Sequence, residues 1–463
     1  MTTPWHEMSA CALGVGIADG DINPVALCEH FLARIAAHDD DRKIYLHVTG
    51  SRARAEAEAA ARRARNGLRR GPLDGVPISW KDLFDSAGAP TTAASPIFAG
   101  RIPDSDAALL ARATRAGLVC LGKTNLTEFA FSGLGINPHY GTPANPYDDR
   151  VARVPGGSSA GAAVSVARGL AAAAIGSDTG GSVRIPAAWN GLVGLKTSAG
   201  LLPLDGVIPL AASLDTAGPL CRDVADANAL FAVLAARRPA DLTGAALDGV
   251  RLLAPSNVLW DGVEAAIEDV VRAAIDRLAA AGAEVVSEDV AEFKEVEDLF
   301  AEYCPLVAAE AYARWHDLVD SQADKIYHNV LQRFWAGSEI TVAAYETMRR
   351  ALDQISARFH ARLARVDALI APTTLIAPPP IADLEADDDA YRTANGGALH
   401  NTVFGNVLRV CAVTLPCGAD PGGLPVGLML FARPFTEAAL LRLSAACELA
   451  MEPIAKPTPK ALT

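Results

Sequence analysis

Histidine and cysteine are scarce in this chain, and neither is spaced to hold a metal. The nine histidines form no HxH or HxxxH pair, and the eight cysteines form no CxxC pair. A metal centre therefore has no support in the sequence, and no cofactor is expected. The nearest cysteines, Cys411 and Cys417, read with the others as buried free thiols in a reducing cytoplasm. Positive charge is also in deficit: 41 Lys and Arg against 54 Asp and Glu give a net charge of −13. That balance argues against nucleic acid or an anionic membrane surface as partner. It leaves small molecules open. Long apolar runs are missing too. The longest, 161–176, is broken by Arg168 and falls short of the ~20 residues a membrane helix needs. The first residues, "MTTPWHEMSACALGVGIADGD", carry acids and no basic leader, so a signal peptide is not expected and a cytoplasmic protein is.

What is abundant is small and apolar. Half of the chain is hydrophobic while only 6% is aromatic, a composition suited to a sizeable α/β core. Asn23-Pro24 signals a helix start, with apolar residues at helical spacing from Val25 to Ile35. Ser51 opens a second helix that Gly67 can end. A strand is expected over 76–80, a helix over 105–116 closed by Gly117, and a short buried strand over 118–121. The apolar run 170–175 reads as another buried strand. Further along, the spacing predicts a helix over 263–281, a strand near 284–286, and helices near 293–316 and 341–365. "AVTLP" and "VGLML" read as buried strands, followed by a helix over 436–451. The Pro-rich, acidic stretch 372–389 is expected to be an irregular surface loop. Alternating strands and helices favour a mixed sheet covered by helices.

Two familiar patterns match and fail on context. "GLVCLGKT" (117–124) fits GxxxxGKT, but a helix precedes its first glycine and its would-be flexible loop is apolar. "GSSAG" (157–161) centres Ser159 in GxSxG, yet no convincing strand precedes it and no histidine is singled out as a partner.

A third pattern is a constellation. Lys81 follows a buried strand in "GVPISWKDLFD", Ser158 lies in "PGGSSAG", and Ser182 lies in "DTGGSVRIPA". In this order, and supported by "GKTNLTEFAFSG", "VCAVTLPCG" and "LPVGLMLFA", these segments resemble the amidase signature family. The resemblance is densest over 76–220 and implies a single large α/β domain, its central mixed β-sheet covered by helices on both faces. Within it, 1–70 would form N-terminal helices, 71–235 the catalytic core, 236–365 a variable region and 366–463 the C-terminal part of the core.

The resemblance also implies roles. Ser182 would be the nucleophile, Ser158 a bridging serine after a cis peptide bond, and Lys81 the base. A serine hydroxyl is a weak nucleophile, and a lysine can activate it once burial leaves it uncharged. The N–H groups of Thr179, Gly180, Gly181 and Ser182 would form the oxyanion hole, and a short helix would begin after Ser182, cut off at Pro186. Gly157 eases the geometry before Ser158, and Ser159 and Asp178 are expected to hold the loops. Arg184 is read as a structural partner of Asp178, with recognition of a substrate carboxylate as the alternative. Trp80 and Trp189 read as packing. Ala160, where glycine is usual, and Ser177, where threonine is commoner, leave the reaction intact.

The implied activity is hydrolysis of a small-molecule amide, anilide, urea or carbamate through an acyl-enzyme. The alternative is the glutaminase subunit of a tRNA-dependent amidotransferase complex. A homodimer is compatible with either. Specificity is expected in 300–345, whose aromatics suit an apolar or aryl group, and in 372–400.

Overall fold

A single mixed sheet runs through the computed structural model, which describes residues 3–39, 43–455 and 457. Its strands are β1 (Tyr45–Val48), β2 (Pro77–Lys81), β3 (Val119–Thr124), β4 (Ala173–Asp178), β5 (Val193–Lys196) and β6 (Thr216–Cys221). They continue with β7 (Arg251–Pro255), β8 (Glu284–Glu288), β9 (Ala368–Pro372), β10 (Cys411–Ala419) and β11 (Pro425–Ala432). The order across the sheet is β1-β3-β2-β4-β6-β5-β10-β11-β9-β7-β8. β2 pairs in parallel with both β3 and β4, and the β4-to-β11 stretch is antiparallel. Strands flanked on both sides and covered on both faces read as unbroken buried runs; every residue of β2, β3 and β4 is buried.

The two faces of the sheet carry separate cores. In β11, Leu428 and Leu430 join one apolar cluster while Met429 and Phe431 join the other, the alternation a pleated strand imposes. The eight cysteines are unpaired, and six of them are buried. Among the described residues, no helix is long and apolar enough to cross a membrane, and no group of three His, Cys, Asp or Glu is placed to hold a metal ion.

Local chemistry explains several element ends. Asn23 caps the helix Pro24–His38 by accepting from the Val25 N–H, and Pro24 occupies the first helical position. Gly117 closes Ala108–Ala116 in the left-handed conformation. The expected helix 293–316 is instead two, Ala291–Glu302 and Leu306–Ser321. Pro305 separates them, because a proline withholds its N–H and bars helical backbone in the residue before it. The helices Ala10–Asp19, Val224–Ala235 and His328–Trp335 had no counterpart in the sequence reading.

The largest correction falls on 372–389. Only 373–380 is irregular, and Thr373, Thr374 and Leu375 there are buried. The helix Ile381–Ala386 follows, then Asp388–Val407. The acids read as a solvated loop are a helix start: the Asp387 carboxylate accepts from Asp389 and Ala390 N–H, and Asp388 and Asp389 sit where the helix dipole favours anions. Pro186, expected to end the turn after Ser182, lies inside the first turn of Arg184–Trp189, where proline is tolerated.

At the C-terminal end of β2, the Asp82 carboxylate accepts from Lys123 Nζ (2.7 Å) and from Thr92 N (2.8 Å) and Oγ1 (2.6 Å). Both charges are fully buried. Removing one member of such a pair strands the other without a counter-charge. Lys123→Met is therefore expected to cost roughly 3–5 kcal/mol in urea unfolding, and Asp82→Asn in the same chain to recover much of the loss. Additive losses in the double variant would show that the two charges are not coupled.

Candidate active site

β2 and β4 lie side by side and deliver the polar groups of the site at their C-terminal ends. Lys81, the last residue of β2, is fully buried. Its Nζ lies 2.7 Å from Ser158 Oγ and 2.8 Å from Ser177 Oγ, with the Ser177 carbonyl at 3.5 Å. Among the described residues no carboxylate is hydrogen-bonded or ion-paired to it. Burial pushes its pKa down to about 7 against the more distant Asp178 and Asp215. At neutral pH an uncharged amine is then abundant, which is the state that accepts a proton.

Ser158 is held from three sides. The Gly157–Ser158 peptide is cis, the Gly157 N–H donates to the Gly133 carbonyl (2.7 Å), and the Ser158 carbonyl accepts from Thr127 N (3.2 Å). Thr127 opens a loop whose Phe129 and Ala130 take positive φ of 53° and 61°, conformations that non-glycine residues adopt only where their surroundings enforce them. Ser159 ties the loops together. Its N–H donates to the Ser182 carbonyl (3.2 Å) and its Oγ to the Ser177 carbonyl (3.3 Å), so Ser182 is pinned beside Ser158.

The "DTGGS" loop begins at the end of β4. Asp178 is its anchor: one carboxylate oxygen accepts from Gly181 N (2.9 Å), the other from Val183 N (3.1 Å), and Arg184 clamps both at 3.0 Å. Burial works against the charge of Asp178, but the guanidinium outweighs it and holds the carboxyl well below the usual range. Gly181 has φ +136°, and a Cβ there would stand 2.1 Å from Thr402 Oγ1; only glycine fits. The Gly181 N–H, counted from sequence among the oxyanion donors, is engaged by Asp178. Thr179, Gly180 and Ser182 keep N–H groups without a protein acceptor among the described residues, so three amides remain of the expected four. Ser182 is 4% exposed, and its hydroxyl makes no hydrogen bond among the described residues.

Arg184 is fully buried and bound to Asp178 and to Asn406 Oδ1 (2.6 Å). These contacts are the structural pairing with Asp178 that the sequence leads one to expect. Trp80 and Trp189 are buried, and the Trp189 indole donates to Thr374 and Ile376.

Several contributors escaped the sequence reading. Ser177, noted only as a departure, supplies a hydroxyl to Lys81. Asp215 accepts from Thr179 Oγ1 (2.6 Å) and from Leu210 N (2.9 Å); burial lifts its pKa to about 6. Thr402 donates to the Gly180 carbonyl (2.7 Å) and Asn406 to Asp178. Both stand on Asp388–Val407, the helix hidden under the loop assignment. The aromatics of 300–345 do approach the site loop: Phe334 packs edge-on against Phe129 (5.4 Å) and Phe131 (5.0 Å). A cavity of about 770 Å³ lies elsewhere, among His6, Arg34, Tyr147, Arg222 and Met451, and none of Lys81, Ser158 or Ser182 lines it.

The Amidase family model matches residues 26–441. The 2-amino-5-chloromuconic acid deaminase of Comamonas testosteroni is 37% identical across 92% of this chain and 93% of its own. A glutamyl-tRNA(Gln) amidotransferase subunit from Anaeromyxobacter dehalogenans is 34% identical across 99% of both chains. The peptide amidase of Stenotrophomonas maltophilia superposes with a TM-score of 0.81 at 29% identity, covering 99% of this chain and all of that one.

Arg184→Leu leaves Asp178 buried without its counter-ion, and a loss of roughly 3–5 kcal/mol in urea unfolding is expected, with a fall in kcat as the loop loosens. A variant as stable as the parent, altered in KM alone, would place the guanidinium in the binding site after all.

Proposed function

The chain belongs to the amidase signature family, and on that premise we propose that Ser182, Ser158 and Lys81 carry out its hydrolysis of amide C–N bonds. The observation that carries this reading is the 2.7 Å contact between Ser158 Oγ and a Lys81 amine whose pKa burial brings down to about 7. Ser182 Oγ attacks the carbonyl carbon as its proton passes to Ser158 Oγ, whose own proton passes to Lys81 Nζ. The carbonyl oxygen, now anionic, meets the N–H groups of Thr179, Gly180 and Ser182; preorganised donors of this kind each contribute about 100-fold or more in rate. The tetrahedral adduct collapses, the C–N bond breaks, and the relay returns a proton to the departing nitrogen. Water then attacks the Ser182 ester through the same relay run again, releasing the acid and regenerating the hydroxyl.

The second reading, a glutaminase subunit, is favoured by the end-to-end likeness to glutamyl-tRNA(Gln) amidotransferase subunits. The chain alone, assayed on glutamine beside simple amides and anilides, separates the two: the amidase reading expects turnover of amides without a partner.

Ser182→Ala is expected to abolish turnover with the fold intact by circular dichroism. Residual activity near the parent's would move the nucleophile to another serine, Ser159 first. Lys81→Met is also expected to be inactive, and its stability gives an independent check. The folded pKa of about 7 lies below the ordinary 10.5, so protonation favours the unfolded chain. Stability is thus lost as pH falls from about 10 to 7, reaching about 4–5 kcal/mol from ~1.36 kcal/mol per pH unit. Lys81→Met lifts that penalty, less the hydrogen bonds it forfeits. Its stability relative to the parent should therefore be higher in urea unfolding at pH 6 than at pH 10. No change in that difference with pH would show that Lys81 keeps an ordinary pKa.

A further inference from the structure

The pairing of β4 with β6 continues past the last residue of β4. Asp178 stands opposite Thr216, and Thr216 Oγ1 donates to the Asp178 carbonyl (2.7 Å). One antiparallel step further, Thr179 and Asp215 face each other, and residues so placed carry their side chains on one face of the ladder. There Thr179 Oγ1 donates to the Asp215 carboxylate at 2.6 Å. Thr179 is the first residue of the loop whose amides would meet the oxyanion. Its hydroxyl and its N–H hang from one Cα, so the bond that fixes the first restrains the direction of the second.

Asp215 is itself firmly mounted. Its carboxylate also accepts from Leu210 N (2.9 Å) and Ala211 N (3.1 Å), and its own N–H donates to the Ala211 carbonyl (2.8 Å). The turn 210–215 is thereby closed on itself. The helix Leu306–Ser321 grips that turn at two points. The Glu310 carboxylate accepts from Ser213 N (3.0 Å) and Ser213 Oγ, and is steadied by the Tyr345 hydroxyl (3.1 Å). The Trp315 indole donates to the Pro209 carbonyl (2.9 Å). A chain of contacts thus runs from the 300–345 segment to the oxyanion loop without passing through Lys81, Ser158 or Ser182.

Resting on the amide-hydrolysis reading, we infer that Asp215 is a positioning residue: through Thr179 Oγ1 it aims the Thr179 N–H at the oxyanion, and so acts on the transition state rather than on substrate binding. Hydrogen bonds to an ionised acceptor are the shorter and stronger ones, and oxyanion donors work by being held in place beforehand. The charged side chains around Asp215 are Lys81 at the end of β2, Asp178 at the end of β4, whose charge Arg184 holds, and Glu310. Burial, helped by the Glu310 charge, lifts the Asp215 pKa to about 6, so the group is an anion at neutral pH. As an anion it favours the protonated form of Lys81. Removing its charge must therefore lower the pKa of that amine.

The test measures kcat and KM on simple amides, and the pH dependence of Ser182 labelling by a fluorophosphonate, whose phosphoryl oxygen takes the place of the oxyanion. Thr179→Val and Asp215→Asn should each lower kcat roughly 10–100-fold, the range set by a hydrogen bond to a charged group, with KM little changed. Thr179→Ser, which keeps the hydroxyl, should recover most of the loss. In the double variant the two losses should not multiply, because either change removes the same bond. The labelling inflexion should move below the parent's in Asp215→Asn and stay in place in Thr179→Val, a separation that damage to the fold alone would not give. Thr179→Val alters one buried hydroxyl and keeps the test decisive if Asp215→Asn folds poorly. If the parent cleaves no amide, the amide-hydrolysis reading fails, while slower labelling in Thr179→Val still supports the positioning role. The proposal is overturned by a Thr179→Val protein that keeps the parent's kcat, or its labelling rate where no amide is cleaved. Losses that multiply in the double variant, or an inflexion unmoved in Asp215→Asn, overturn it equally.

Discussion

The contact between a buried, carboxylate-free lysine and two serine hydroxyls is the constraint the rest of the site serves. Lys81 can hold a lone pair at neutral pH only if no anion touches it and water stays out. The sheet provides the dry part: β2 lies between β3 and β4, and all three are buried throughout. The nearby carboxylates are dealt with one by one. Arg184 and two backbone amides hold the charge of Asp178, Lys123 faces Asp82, and Thr179 Oγ1 and the Leu210 N–H hold Asp215. Were any of these charges free to approach Lys81, its amine would be protonated and the relay to Ser158 closed.

The second requirement is that three chain segments meet without side-chain bulk between them. Gly176 shows how tight the fit is: a Cβ there would come within 2.7 Å of Ser159 Oγ. The helix Asp388–Val407 then braces the assembly from outside. Asn395 holds Ser132 and Gly133, Thr402 the Gly180 carbonyl, and Asn406 both Asp178 and Arg184. Residues spaced three and four apart on one helix share a face, so a single rigid element sets the positions of both loops. Preorganised donors need that rigidity.

The sequence was most legible where residue type and spacing act locally. Asn23-Pro24 and Gly117 mark helix ends because their own backbone chemistry does so. The Ser158 and Ser182 segments could be picked out because each sits in an unusual run of glycine and small residues, and Lys81 joined them by its place just past a buried strand and by the family resemblance. The helix Asp388–Val407 was lost because its opening acids, and the prolines before them, have the composition of a loop; only the Asp387 cap, a local contact with the N–H groups two and three residues on, distinguishes them. With that helix went the helical spacing of Asn395, Thr402 and Asn406. Asp215 gave no local signal at all, since what marks it is its distant partner Thr179.

The most direct measurement is the rate at which a fluorophosphonate labels Ser182 as a function of pH, in the parent and in Lys81→Met. The reagent needs only the activated hydroxyl, so substrate choice does not enter. The labelling rate should rise with pH through an inflexion near 7, the value burial imposes on Lys81, and should fall by about 100-fold or more in Lys81→Met. An inflexion near 10, or labelling that Lys81→Met leaves unchanged, would contradict the neutral-lysine relay.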